Sequence, residues 1–219
     1  MGLKQVARKF APVINYLPFN NKFHRRGAKI VFSNTILVGC KIICYGKGNI
    51  IRFAGNGGFK NSSIVIYGNN NIVEFSAGVS MDSGSIVLDG DNNNLFVGKD
   101  TKFCGKIHIA VIESTTVSIG ERGLFSSDIT IRTGDSHSVI DLEGNRINPS
   151  KDVRIGNHVW VGNQVIITKG ATISNNCIVG TGSLVNKIIK QENVILGGVP
   201  AHIVKENVNW CSERIAVKD

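Results

Sequence analysis

From Ile155 to Val185 an aliphatic residue returns at every sixth position: Ile155, Val161, Ile167, Ile173, Val179 and Val185. Four places after each of the first five stands a residue no larger, namely Val159, Val165, Ala171, Cys177 and Ser183. A half-buried strand hides every second residue and a helix every third or fourth, so a step of six fits neither. It fits a chain that turns a corner every six residues, with one large and one small inward position per side. Three such sides close a triangle of about eighteen residues, and stacked triangles join their short strands into parallel sheets along three faces.

A second period precedes this one. Ile42-Ile43-Cys44-Tyr45-Gly46 matches Ile64-Val65-Ile66-Tyr67-Gly68 and Ile86-Val87-Leu88-Asp89-Gly90 at a step of 22, which Asn49, Asn71 and Asn93 also keep. These read as coils of the same solenoid with about four extra residues at a Gly/Asn-rich corner, because a corner can lengthen without disturbing stacked strands. Val97, Phe103 and Ile109, then Ile119, Phe125 and Ile131, return to the step of six. The 25 glycines suit so many corners. A β-sandwich with Gly-Asn hairpins would not hold a constant six, and 219 residues suit a single domain.

The expected organisation is a basic cap or helix over 1–28, the solenoid over 29–200, and a C-terminal helix and tail over 201–219. Leu3, Val6, Phe10, Val13 and Leu17 fall at helical spacing beside Lys4, Arg8 and Lys9, while Pro12 and Pro18 limit the helix. This segment reads as a cap on the solenoid's open end, with peripheral contact to the inner membrane as the alternative. Residues 203–216 read as a short helix that packs Ile203, Val204, Val208 and Trp210 back on a face. Residues 1–73 hold eleven basic and no acidic residues, and 74–219 hold fourteen and sixteen, so +11 and −2 give the net +9. A basic first third implies an anionic partner or surface. Five cysteines, at 40, 44, 104, 177 and 211, with no C-x-x-C pair, point to a reducing compartment. No apolar run approaches the roughly 18 residues of a spanning helix.

The stretch from Arg132 to Asp152 breaks the period with a polar excursion containing Asp135 and His137. Loops that leave a rigid scaffold commonly carry function. His137 leads as a general base, since imidazole titrates near neutral pH and can take a proton from a hydroxyl. Asp135 is the residue expected to orient it. Cys177, on a small inward position, reads as core and not as a nucleophile.

Residues 155–185 resemble the hexapeptide repeat of left-handed β-helix acyltransferases, and Gly197-Gly198-Val199-Pro200-Ala201 is similar to the segment with which many of them leave the helix. His137, Glu143-Gly144-Asn145-Arg146-Ile147-Asn148, Ile155-Gly156-Asn157-His158-Val159-Trp160 and Ile203-Val204-Lys205-Glu206-Asn207 resemble bacterial sialic-acid capsule O-acetyltransferases. The likeness covers 130–210 well and the first 100 residues in style only.

The resemblance implies an all-β, left-handed parallel β-helix assembled as a homotrimer, with acetyl-CoA as donor, no metal, and a sugar or polysaccharide acceptor of anionic character. Nucleic acid is not among its partners, and the setting is cytoplasmic. It gives His137 the role of base and Trp160 a catalytic role. The pantetheine arm would lie in a groove between subunits, along backbone at Gly162, Gly180, Thr181, Gly182 and Ser183, with Lys187 and Lys205 near the phosphates. Each of those glycines also suits a corner of positive φ. Asn186 departs from a tyrosine that the nearest members carry by the donor.

Two other classes share the scaffold. A γ-carbonic-anhydrase-type hydratase needs three histidines on one zinc, and no two of His24, His108, His137, His158 and His202 are spaced for adjacent turns of one site. A non-catalytic carbohydrate-binding solenoid would keep the hexapeptides without requiring His137 and Trp160 to meet. Within acyl transfer, the alternatives are N-acetylation of a nucleotide-linked amino sugar and O-acetylation of an antibiotic.

Overall fold

Short β-branched runs ended by Gly and Asn give strands of two to six residues, each followed by a corner. A computed structural model describes residues 10–17 and 20–216. Three sheets result, parallel but for one terminal strand, with every third strand of the chain up to Ile195–Gly198 on the same face. The first face runs from Lys22–His24 to Leu184–Val185 in eight strands, and the second from Lys29–Phe32 to Ile188–Ile189 in eight. The third begins at Ile36–Val38, includes Trp160–Val161, and ends with Ile195–Gly198 and Ala201–Lys205 as the eighth and ninth strands. The described chain is therefore a triangular parallel β-solenoid.

Register follows the periods. Ile155 stands on Ile173 in the six-residue region, and Ile64 on Ile86 in the 22-residue region. Val97, Phe103, Phe125, Ile131, Val161, Val165, Ala171, Cys177 and Val179 all point into the buried interior. Phe53 stacks on Phe75 at 5.1 Å and Phe59 meets Phe75 edge-on at 4.7 Å, so aromatic rungs fill the lower coils.

The extra residues of the 22-residue coils sit at the corner between the first and second faces. There Asn49, Asn71 and Asn93 are fully buried, which is unusual for turn-forming asparagines. Asn49 Oδ1 accepts from the Asn71 N–H (2.9 Å) and Nδ2 (3.1 Å), and Asn71 Oδ1 from the Asn93 N–H at 2.8 Å. Asn93 Oδ1 accepts from the Thr115 N–H, and the Thr115 hydroxyl donates to Thr133 Oγ1 at 2.7 Å. The ladder satisfies buried backbone groups that a widened corner leaves unpaired. It ends at Thr133, where the irregular loop leaves the solenoid.

The ends differ from the expected helices. Of the N-terminal helix, residues 1–9 lie outside the described residues, and the described part holds one helical turn, Ala11–Ile14, with Pro12 in it. Asn15, Asn20 and Asn21 there cap the open edge strand: Asn15 Oδ1 accepts from Leu37 N–H, Asn20 Oδ1 from Gly39 N–H, and Asn21 Oδ1 from Cys40 N–H. The first strand begins at Lys22, ahead of the expected boundary at 29. The C-terminal helix is replaced by the strand Ala201–Lys205, antiparallel on Ile195–Gly198, followed by irregular chain to 216. Gly198, at φ 104°, lets the chain reverse, and β-branched Ile203 and Val204 then pair with an edge that would otherwise stay open.

Candidate active site

The loop 133–152 replaces the same corner that carries the asparagine ladder. The Lys151 N–H donates to the Thr133 carbonyl at 2.9 Å and closes its base, so Val117 pairs with Val153 directly above it. Within the loop, Ile140 bridges Arg146 in a small hairpin whose turn is held by Asp141, which accepts from the Asn145 N–H at 2.7 Å. Its apolar side chains face outward: Val139, Ile140, Leu142 and Ile147 are all exposed.

Two anchors fix this loop to the scaffold. Glu113 accepts from Arg146 (2.9 Å) and from the Ser150 hydroxyl (2.7 Å), and these bonds hold its carboxyl down at about 2. Asp135 accepts from Lys169 Nζ and from Asn148 Nδ2, and the lysine is the larger cause of its lowered pKa. Buried Asn148 is the hub. Its Nδ2 donates to Asp135 and to the His137 carbonyl (both 2.8 Å), while its Oδ1 accepts from the Val139 N–H (2.7 Å) and Arg146 Nε (3.1 Å). Nothing in the chain's periodicity singles Asn148 out.

His137 is exposed on this loop, and among the described residues its imidazole has no hydrogen-bond partner. The expected Asp135–His137 bond is absent. Ser136 takes φ 64°, so the segment is not regularly extended, and the carboxylate turns to Lys169 and Asn148. Asp135 reaches the base only through Asn148.

Trp160 lies elsewhere. It occupies the third face between Leu124 below and Ile178 above, and is 39% exposed. In a triangle the corner between the first and second faces is the vertex opposite the third face, so one chain does not bring His137 and Trp160 together. The tail does reach Trp160: Trp210 stacks on His158 at 4.3 Å, donates its Nε1–H to the His158 carbonyl at 2.9 Å, and comes within 6.1 Å of the Trp160 ring. His158 also meets Asn176 Oδ1 through Nδ1 at 3.1 Å.

The expected donor residues fall in three places. Gly162, Gly180, Thr181 and Gly182 line the corner between the third and first faces. Gly162 is buried, and a Cβ there would stand 2.9 Å from the Thr181 nitrogen, so coil stacking alone requires it. Ser183 points into the interior, where its hydroxyl donates to the Gly180 carbonyl at 2.6 Å, and its side chain faces no groove. Lys187 is across the first face from Gly182, and Lys205 is on the terminal strand.

No family model matches the chain. Among solved structures, that of the polysialic acid O-acetyltransferase OatWY superposes with a TM-score of 0.82 at 31% identity, covering 90% of this chain and 94% of that one. The chain belongs to the hexapeptide-repeat acetyltransferases. Within that family, the polysialic acid O-acetyltransferase of Neisseria meningitidis is 36% identical over 107 residues, 48% of this chain and 50% of that one. The galactoside O-acetyltransferase of Escherichia coli K12 is 32% identical over 113 residues, 52% of this chain and 54% of that one. The chain thus spans about half the length of the curated relatives that it matches.

Proposed function

We propose that this hexapeptide-repeat acetyltransferase moves an acetyl group from acetyl-CoA to a hydroxyl of a bacterial surface polysaccharide or its precursor, working in the cytoplasm as a homotrimer of left-handed coils. The observation that carries the reading is the anchored loop, which holds in solvent an imidazole without a partner among the described residues, on a rigid scaffold like that of OatWY. The names of the polysialic acid relatives favour an acidic glycan, and the chain's charge of +9 agrees with that choice.

The placement of the two candidate groups supports the assembly. A site containing both His137 and Trp160 requires the loop of one copy to lie against the third face of the next. The exposed Val139, Ile140, Leu142 and Ile147 supply an apolar surface for that contact. The same arrangement would bring Lys187 of one copy toward Gly180 and Gly182 of its neighbour, where the donor's phosphates could meet it.

In the proposed step His137 takes the proton of the sugar hydroxyl as its oxygen attacks the thioester carbonyl. The oxyanion of the tetrahedral intermediate accepts a hydrogen bond from the Trp160 indole or a backbone amide. Collapse breaks the carbon–sulfur bond, and the imidazolium returns its proton to the departing thiolate. The test is thiol release from acetyl-CoA with a panel of acidic and neutral surface polysaccharides and nucleotide-linked amino sugars. Release that requires an acidic polysaccharide supports the proposal; release with amino sugars alone, or with no glycan, rejects it.

A further inference from the structure

The N-terminal turn caps the solenoid with its polar side and not with its apolar one. Backbone bonds of helical type run from Val13 and Ile14 to Phe10, from Asn15 to Ala11, and from Leu17 to Ile14, so residues 10–17 share one helical course. Ala11 and Asn15, one turn apart, are fully buried against the solenoid, and Asn15 bonds its edge strand. Phe10, Val13 and Leu17 share the opposite side and are 59%, 67% and 50% exposed. A surface helix ordinarily turns its apolar stripe to the core. Here asparagines do the capping, and among the described residues the apolar stripe faces away from the solenoid.

The charge around it is of one sign. Lys22, Arg25, Arg26 and Lys29 are exposed in the same first coil, and Arg25 lies over the Tyr16 ring at 4.7 Å. No acidic residue occurs before Glu74. An acidic polymer would answer the cations but not the apolar stripe. A second copy would answer the stripe but would set two identical basic ends against each other.

We propose that the first-coil end of this solenoid docks on an anionic lipid surface, with Phe10, Val13 and Leu17 entering the interface and Lys22, Arg25 and Arg26 meeting the head groups. Apolar insertion and charge attraction are each weak alone and sufficient together. Docking there leaves the loop 133–152 and Trp160 several coils away from the bilayer, open to a glycan.

The experiment is co-sedimentation of the full chain with vesicles of phosphatidylcholine alone and of phosphatidylcholine mixed with phosphatidylglycerol. Binding is expected only to the mixed vesicles. The triple variant Phe10→Ser, Val13→Ser, Leu17→Ser and the double variant Lys22→Gln, Arg26→Gln should each weaken it by roughly tenfold or more, with unchanged thermal midpoints because the altered side chains are exposed. Absence of binding to either vesicle overturns the proposal. So does binding that ignores the serine substitutions and is displaced by dextran sulfate, since that marks a polyanion site. Vesicle-free pairing of the wild-type chain through this end, abolished by the serine variant, overturns it as well.

Discussion

At the scale of single residues, the candidate base depends on groups that do not touch it. Asn148 ties the His137 carbonyl to Asp135, Val139 and Arg146, so its loss should displace the imidazole without removing it. His137→Ala should lower turnover by roughly 100-fold to 10,000-fold. Asn148→Ala should lower it by about 100-fold through misplacement, with KM for acetyl-CoA nearly unchanged in both. Near-normal turnover in His137→Ala would mean that another group takes the proton. His158→Ala should disturb the surroundings of Trp160 as well, because His158 carries the Trp210 stack beside it. Glu113 is one of the two carboxylates whose ionisation anchors the loop. Its carboxyl is depressed to about 2 from an ordinary 4.5, so its anchoring is fully present above pH 4.5 and is lost as the pH falls through about 2. Glu113→Gln should therefore be cut faster than wild type by an acid protease in the exposed hairpin around Leu142 at about pH 3; equal rates would show that Arg146 and Ser150 hold the loop by other means.

At the scale of elements, the ladder at the first corner and the strands it serves had different visibility in the sequence. The steps of six and 22 were legible because each coil must present the same inward residues at the same angle, which stamps register directly on the chain. Asn49, Asn71 and Asn93 showed their step too, but as turn formers; their burial depends on a corner too wide for backbone groups to pair with one another. The terminal strand was illegible for a related reason. Ile203, Val204, Val208 and Trp210 are too few to fix a period, and the conformation of Ile203 and Val204 is set by an edge strand that only the folded solenoid offers. The Asp135–His137 bond failed through one φ angle, at Ser136, which no spacing encodes. For the ladder itself, Asn71→Ala removes the acceptor of the buried Asn93 N–H. It should destabilise the chain by about 1 to 3 kcal/mol, read as a lower denaturation midpoint with acetyl transfer intact at low temperature. An unchanged midpoint would mean that water replaces the lost amide.

At the scale of the whole molecule, the topology separates two groups that the proposed chemistry needs in one place. The loop with His137 stands at one vertex of the triangle and Trp160 on the opposite face, so an active site that uses both, as proposed, would draw them from different copies. This has a consequence that no single-chain site shares. His137→Ala and Trp160→Ala should each be nearly inactive as pure proteins, yet a trimer containing both kinds of chain has one junction where an intact loop meets an intact tryptophan. Random co-assembly leaves three quarters of trimers mixed, each with one such junction in three, so about a quarter of wild-type activity should return. The measurement is thiol release by the two variants refolded together, against each refolded alone and against the double variant at equal total chain. Recovery near a quarter supports a site shared between subunits. A mixture no better than its parts would place both groups in one chain, or remove one of them from the chemistry, and the homotrimer would then lose its catalytic reason.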